Sequence, residues 1–197
     1  IILFSSTDEF HSRFTNVYKD AAANYGFGTM CLSSDIINRY VIIHEFNHYI
    51  FDCFCKDKKI DDQNIPAWFQ EGLAEYSAYS SMKVTFKAEP LKKLKSFKGL
   101  NTPEDITDAV ADGYDVYTQS HMAVVKIIST NKGNVIQDIL IQCRSMNFYQ
   151  ALKKTTSESI EDIERSITNS KYMTTPEKPI YHIEGSSPNS VEIEPDR

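Results

Sequence analysis

The spacing of apolar and polar positions predicts a short strand element followed by a series of helices. Residues 1–4 are predicted as a strand, a helix begins near Ser6 or Thr7, and a glycine-bearing turn leads into a strand over residues 29–32. Thr102, Pro103 and Asp105 form a helix start signal. Helical spacing recurs over residues 36–53, 65–82, 112–130, 134–145 and 157–168. We therefore expect an α+β fold that is predominantly α-helical.

The helix predicted over residues 36–53 is apolar on most of its sides, which is typical of a helix buried in the middle of a domain. One of the polar residues 33–35 is expected to cap it. The same helix carries His44, Glu45 and His48. Burying these side chains costs free energy unless they are paired or coordinate an ion.

The composition changes near residue 171. From there the chain is polar and holds four prolines, which is typical of a linker or a tail. We expect one domain over residues 1–170 and a polar tail or linker over residues 171–197.

Charge and cysteine content narrow the possible partners. The net charge of −6 gives no support to a nucleic-acid partner. No apolar run approaches the roughly 20 residues that a membrane-spanning helix needs. The four cysteines form no CxxC pair, so we expect free thiols that are buried or partly buried, or one disulfide if the protein is exported. The sequence does not indicate an oligomeric state.

The sequence HEFNH places two histidines four residues apart on the predicted helix. His44 and His48 then lie on one face, where both rings can reach one ion, and Glu45 lies beside that face. The alternative is a pair of core histidines bonded to backbone carbonyls. A hydrolytic zinc site needs a third protein ligand. Glu71 and Glu75 share one face of the helix over residues 65–82, among apolar neighbours, and are the candidates.

HEFNH followed by PAWFQEGLAEY resembles the gluzincin metallopeptidases, in particular the peptidase MA-like domains and the catalytic domains of bacterial collagenases. The resemblance implies a zincin-like fold, in which a small N-terminal sheet accompanies the HExxH helix packed on a glutamate helix. It implies Zn²⁺ held by His44, His48 and Glu71, with Glu45 as general base. Glu75 would accept a hydrogen bond from a ligand histidine. The resemblance also favours a secreted or cell-envelope protein.

A peptidase of this kind also needs a donor for the oxyanion. In the family this donor is often a tyrosine or histidine from a later helix, which makes Tyr114, Tyr117 and His121 candidates here. We favour Tyr117, with His121 one helical turn further on. Packing in the core is the alternative for both tyrosines.

The resemblance implies hydrolysis of a peptide or protein substrate. We expect the substrate to lie extended along residues 26–32. Aminopeptidases of this superfamily carry a glutamate in that strand, in a Gly-x-Met-Glu-Asn pattern, and the sequence GTMCL has none. The absence favours an endopeptidase. The alternatives are an aminopeptidase and a catalytically inactive, zinc-stabilised binding domain.

Overall fold

The computed structural model describes residues 1–14, 23–26, 28–35, 37–82, 91 and 93–169, and these are mostly helical with a small three-stranded sheet. This agrees with the predicted fold class. The predicted tail over residues 171–197 lies outside the described residues, so the domain boundary stays a prediction. The position of residue 36, where a helix is predicted to begin, also lies outside them.

The sheet consists of β1 (Ile2–Phe4), β2 (Ala23–Gly26) and β3 (Thr29–Ser33), in the order β1-β3-β2. β1 runs parallel to β3, with Leu3 opposite Leu32, and β2 runs antiparallel to β3, with Gly26 opposite Thr29. Gly28 lies in the turn between β2 and β3 with φ of 75°, a conformation that glycine adopts without steric cost. Gly28 therefore allows the turn between β2 and β3. The sequence pattern did not predict β2.

Eight α-helices are described. The first, α1 (Thr7–Arg13), is capped by the Ser6 hydroxyl, which accepts from the Glu9 amide at 3.1 Å. The two helices that carry the HExxH motif and the glutamates are α2 (Arg39–Lys58) and α3 (Ala67–Ser81). The others are α4 (Pro103–Ala111), α5 (Val116–Thr130), α6 (Val135–Gln142), α7 (Phe148–Thr156) and α8 (Ile160–Asn169). The sequence pattern predicted all of them except α7.

α2 begins and ends later than predicted. Its cap is Asn38, whose side-chain oxygen accepts from the Val41 amide at 3.0 Å, and the helix continues to Lys58. The polar residues expected to cap it are used elsewhere. Ser33 ends β3 opposite Phe4, and the carboxylate of Asp35 accepts from the Thr7 amide at 2.7 Å. These contacts join the sheet to α1.

The expectation that α2 is buried on most sides is wrong. Ile42, Phe46 and Tyr49 are 41%, 48% and 43% exposed, and they lie along one face of the helix. The opposite face packs on α3, which in turn packs on α5. Apolar composition alone does not distinguish a half-exposed helix from a buried one.

The core is built around α3. Trp68 and Phe69 are fully buried and pack against Phe97 and Phe148, with ring centroids 4.2 Å apart for Trp68 and Phe97 and 4.7 Å apart for Phe69 and Phe148. This aromatic cluster lies at the beginning of α3 and fixes its position. Glu71 and Glu75 follow on the same helix, so the packing of α3 determines where their carboxylates lie.

None of the helices in the described part of the chain is long and apolar enough to cross a membrane. The four cysteines are free thiols, as expected, but Cys53 is exposed rather than buried.

Candidate metal centre

The site lies between α2 and α3. His44 and His48 are one turn apart on α2, and Glu71 faces them from α3. The sequence places the two helices side by side because the connection after α2 is short. The backbone amide of Ile60 donates to Cys55 at 2.8 Å, and Lys59 adopts the left-handed conformation that ends the helix. Pro66 then precedes α3.

The predicted ligands converge on one point. The Nε2 atoms of His44 and His48 are 3.2 Å apart, and Oε2 of Glu71 lies 3.3 Å from the first and 3.7 Å from the second. One donor atom from each residue falls within 4.8 Å of the others. Two imidazole nitrogens and one carboxylate oxygen form a donor set that suits zinc, and the residues fit a metal ion at this position.

The electrostatics of the cluster couple the histidines to the carboxylates. Burial lowers the pKa of His44, but the contacts with Glu71 and Glu75 outweigh it and raise the pKa above its ordinary value. Burial raises the pKa of Glu71, and the neighbouring His48 and His44 outweigh it and hold that pKa below its ordinary value. When no metal is bound, protonation of the histidine side therefore balances part of the negative charge of the carboxylates. A metal ion that binds here takes over this role and displaces the protons.

Glu75 lies where the resemblance implies, one turn after Glu71. It is buried, and its Oε1 is 3.0 Å from Nδ1 of His44, the ring nitrogen that faces away from Glu71. The hydroxyl of Tyr40 lies 2.5 Å from both carboxylate oxygens of Glu75. Burial and the charge of Glu75 raise the pKa of Tyr40, so its hydroxyl keeps its proton and donates. Tyr40 was not predicted as a site residue, although Tyr40 lies four residues before His44 on the same face of α2.

Glu45 is buried beside the cluster. Burial raises the pKa of its carboxyl group, while His48 and His44 oppose the change. The backbone amide of Tyr25 in β2 also favours the ionised carboxylate. Tyr25 is tied to α2 a second time, because its hydroxyl donates to Asp52 at 2.8 Å. β2 therefore lies against the helix face next to Glu45, a contact that the sequence analysis missed because it joins distant positions.

The candidate oxyanion donors fall in different environments. The ring of Tyr117 is half-buried, with its centroid 6.4 Å from that of His44. Tyr114 packs beneath Lys93, whose Nζ is 4.2 Å from the ring centroid. His121 is fully buried between Tyr76 and Tyr79, with ring centroids 6.4 and 5.0 Å away. Tyr117 is thus the candidate nearest the site. The catalytic roles of Tyr117 and His121 stay predictions.

The expected path of a substrate along residues 26–32 needs correction. These residues include β3, which is the middle strand and is paired on both sides. A middle strand has no free edge for another chain. The strand that combines an unpaired edge, among the described residues, with contact to α2 is β2.

The fold and the site together define a mostly helical α+β domain with a candidate metal centre between two helices. The chain is similar to a protein of Bacillus subtilis (strain 168), the uncharacterized protein YhcO, with 28% identity over 130 residues. The aligned region covers 64% of this chain and 38% of YhcO. No protein-family model matches the chain, and no solved structure matches it. The geometry of the site therefore carries the functional inference.

Proposed function

We propose that this protein is a zinc-dependent metallopeptidase of the gluzincin type. One observation carries the proposal: the three ligand atoms already stand at the corners of one face of a tetrahedron. Zinc bonds of about 2.0–2.1 Å at tetrahedral angles separate neighbouring ligand atoms by about 3.3–3.4 Å. The separations among His44, His48 and Glu71 are 3.2, 3.3 and 3.7 Å. In this proposal the fourth ligand is solvent or substrate, as in catalytic zinc sites.

Each residue of the site has a role in this proposal. Zinc supplies Lewis-acid polarisation of the scissile carbonyl and of water. Glu45 accepts a proton from water and passes it to the leaving amine, and its burial brings its pKa closer to the working range of a general base. Tyr117, whose ring centroid is 6.4 Å from that of His44, is the donor to the oxyanion in this proposal.

The substrate in this proposal is an extended peptide. The edge of β2 that no other described strand pairs with is the place for the peptide, and the contact of Tyr25 with Glu45 holds this edge beside the general base. The GTMCL sequence, which lacks a glutamate, favours an endopeptidase. An aminopeptidase of the same superfamily and an inactive zinc-stabilised binding domain are the other candidates.

The test combines metal analysis with peptide cleavage. The purified protein is expected to hold one zinc per chain and to cleave a peptide library whose amino termini are blocked. Glu45→Gln keeps the shape of the side chain but cannot accept the proton, so we expect unchanged zinc content and a loss of cleavage of about 10²–10⁴-fold. His44→Ala removes a ligand and is expected to lose zinc.

The possible results separate the candidates. Release of amino acids from unblocked peptides alone identifies an aminopeptidase. Zinc at one per chain without turnover of any peptide identifies a binding domain. Full activity of Glu45→Gln contradicts the assigned base, and full zinc content of His44→Ala contradicts the assigned ligands.

A further inference from the structure

Tyr40 lies at the first turn of α2, one turn before His44. Its hydroxyl is 2.5 Å from Oε1 and from Oε2 of Glu75, so one donor spans the whole carboxylate. Oε1 of the same carboxylate is 3.0 Å from Nδ1 of His44. Tyr40, Glu75 and His44 therefore form a continuous chain of polar contacts that ends on a predicted zinc ligand.

Glu75 depends on such a donor. Its side chain is only 6% exposed, and no lysine or arginine among the described residues forms an ion pair with it. A buried carboxylate without a lysine or arginine partner needs hydrogen bonds to stay oriented. The Tyr40 hydroxyl meets this need, because it donates to the carboxylate of Glu75. The Tyr79 ring, edge-on to Tyr40 with centroids 5.3 Å apart, holds the phenol in place.

The orientation of the Glu75 carboxylate bears on which ring nitrogen of His44 is available to a metal. A carboxylate close to Nδ1 favours the proton on that nitrogen, which leaves the lone pair of Nε2 for the ion. Nε2 is the atom that faces Glu71 and His48. We propose that Tyr40 is a positioning residue for zinc: it clamps Glu75, and Glu75 orients His44. This inference rests on the proposed zinc site and adds Tyr40 to the residues that orient its ligands.

The experiment measures zinc affinity rather than turnover. The zinc-free protein is prepared with a chelator, and the Kd for zinc is determined by competition with a chromophoric chelator. Tyr40→Phe removes only the hydroxyl, and we expect the Kd to rise about tenfold or more, as for other residues that support a ligand histidine. The visible absorption spectrum of the Co²⁺ form is expected to change as well, because the ring of His44 is no longer held in one orientation.

Tyr49→Phe is the matched control. It removes the same hydroxyl from the same helix at a position that is 43% exposed. We expect its zinc Kd and its Co²⁺ spectrum to equal those of the wild type. The melting temperature of each zinc-free variant shows whether α2 and α3 stay packed.

A double-mutant cycle tests whether Tyr40 acts through Glu75. Glu75→Gln alone should weaken zinc binding, and adding Tyr40→Phe should then weaken it by less than about threefold, because the clamped group has already changed. If Tyr40→Phe does not fold, Glu75→Asp carries the test. Its shorter side chain cannot reach both Tyr40 and His44, so zinc binding should weaken in a folded protein.

Three results overturn the inference. The first is a wild-type Kd in folded Tyr40→Phe, or in Glu75→Asp where that variant carries the test. The second is the same loss from Tyr40→Phe in the Glu75→Gln background, which shows that Tyr40 does not act through Glu75. The third is a wild-type protein that binds no zinc, which overturns the proposed function too. Tight zinc binding by the wild type with an unaffected Tyr40→Phe rejects the role of Tyr40 alone.

Discussion

At the residue scale, the carboxylates of the site outnumber the basic side chains that pair with them. Glu45 and Glu75 are buried and Glu71 is half-buried, yet no lysine or arginine in the described part of the chain pairs with any of them. In the described part of the chain, the basic side chains that pair with Glu71 and Glu75 are His44 and His48. Buried carboxylates with so few cationic partners are stabilised by a divalent cation. This charge balance supports the metal proposal independently of the distances between ligand atoms.

His121 illustrates a buried titratable residue outside the ligand set. It is fully buried, and desolvation lowers its pKa to about 4, although the charge of Glu75 opposes the shift. In the unfolded chain its pKa returns to about 6.5. Between these values the unfolded chain binds more protons than the folded one. The stability that the neutral ring provides is therefore complete above about pH 6.5 and is lost as the pH falls towards about 4.

We predict that His121→Gln removes part of the acid sensitivity of the protein. The wild type should lose up to about 3 kcal/mol of unfolding free energy from this residue between pH 6.5 and 4, and the variant should lose correspondingly less. Urea unfolding of the zinc-free proteins at several pH values measures the difference. Parallel curves for the two proteins would show that His121 does not titrate in this range.

Among the helices, α3 and α5 approach each other closely next to Glu71. Gly72 follows the candidate ligand Glu71 on α3. A Cβ atom at this position would lie 2.5 Å from the backbone oxygen of Ser120 and 2.8 Å from Cγ2 of Val124. The backbone of α5 cannot move aside without shifting the helix. A glycine here lets the two helices pack and holds Glu71 at its distance from His44.

We predict that Gly72→Ala is destabilising even though alanine is the better helix former. The gain in helix propensity is about 1 kcal/mol. Forcing packed elements apart costs about 1–3 kcal/mol. We expect a net loss of stability and weaker zinc binding, because Glu71 moves with α3. Urea unfolding and chelator competition measure the two effects.

Gly99→Ala is the control for this prediction. The nearest atom to a Cβ at Gly99 is the Lys95 Cε at 4.0 Å, so the added methyl group meets no obstacle. Its zinc Kd should equal that of the wild type. Unchanged stability and zinc affinity in Gly72→Ala would show that α3 and α5 can separate without cost.

The elements also show how far local sequence predicts structure. The capping box at Thr102 was predicted from three residues and is present, because its hydrogen bonds are local: Thr102 accepts from the Asp105 amide at 3.2 Å, and Asp105 accepts from the Thr102 amide at 2.9 Å. The start of α2 was misplaced because Asp35 contacts Thr7, a distant residue. Local signals thus identify an end only where no tertiary contact competes.

The residues of the site likewise divide into those that a local pattern predicts and those that only tertiary packing brings together. The spacing of His44, Glu45 and His48 is a property of one helix, so the sequence alone could predict a shared ion. The third ligand followed from carboxylates on an apolar helix and from a resemblance. Tyr40 and Tyr25 were missed, because their contacts with Glu75 and with Glu45 arise only when separate elements pack. Residues that support a site need the tertiary structure.

At the scale of the whole molecule, the site lies where several parts of the chain meet. α2 provides two of the candidate ligands and α3 provides the third, while β2 touches Glu45 and α5 brings Tyr117. An ion bound to the two helices favours the folded chain over the unfolded one, because the unfolded chain does not hold the three ligands together. Metal binding and folding should therefore be coupled.

Removal of zinc should consequently lower the melting temperature of the entire domain. With free zinc a thousandfold above its Kd, binding adds about 4 kcal/mol to the unfolding free energy, or roughly 10 °C in Tm for a domain of this size. Thermal unfolding with added zinc and with excess chelator measures the shift. His44→Ala should melt at one temperature under both conditions, because it lacks a ligand. An equal shift in His44→Ala would place the stabilising ion outside the His44, His48 and Glu71 cluster. If the wild type shows no shift, its folding does not depend on an ion at this site.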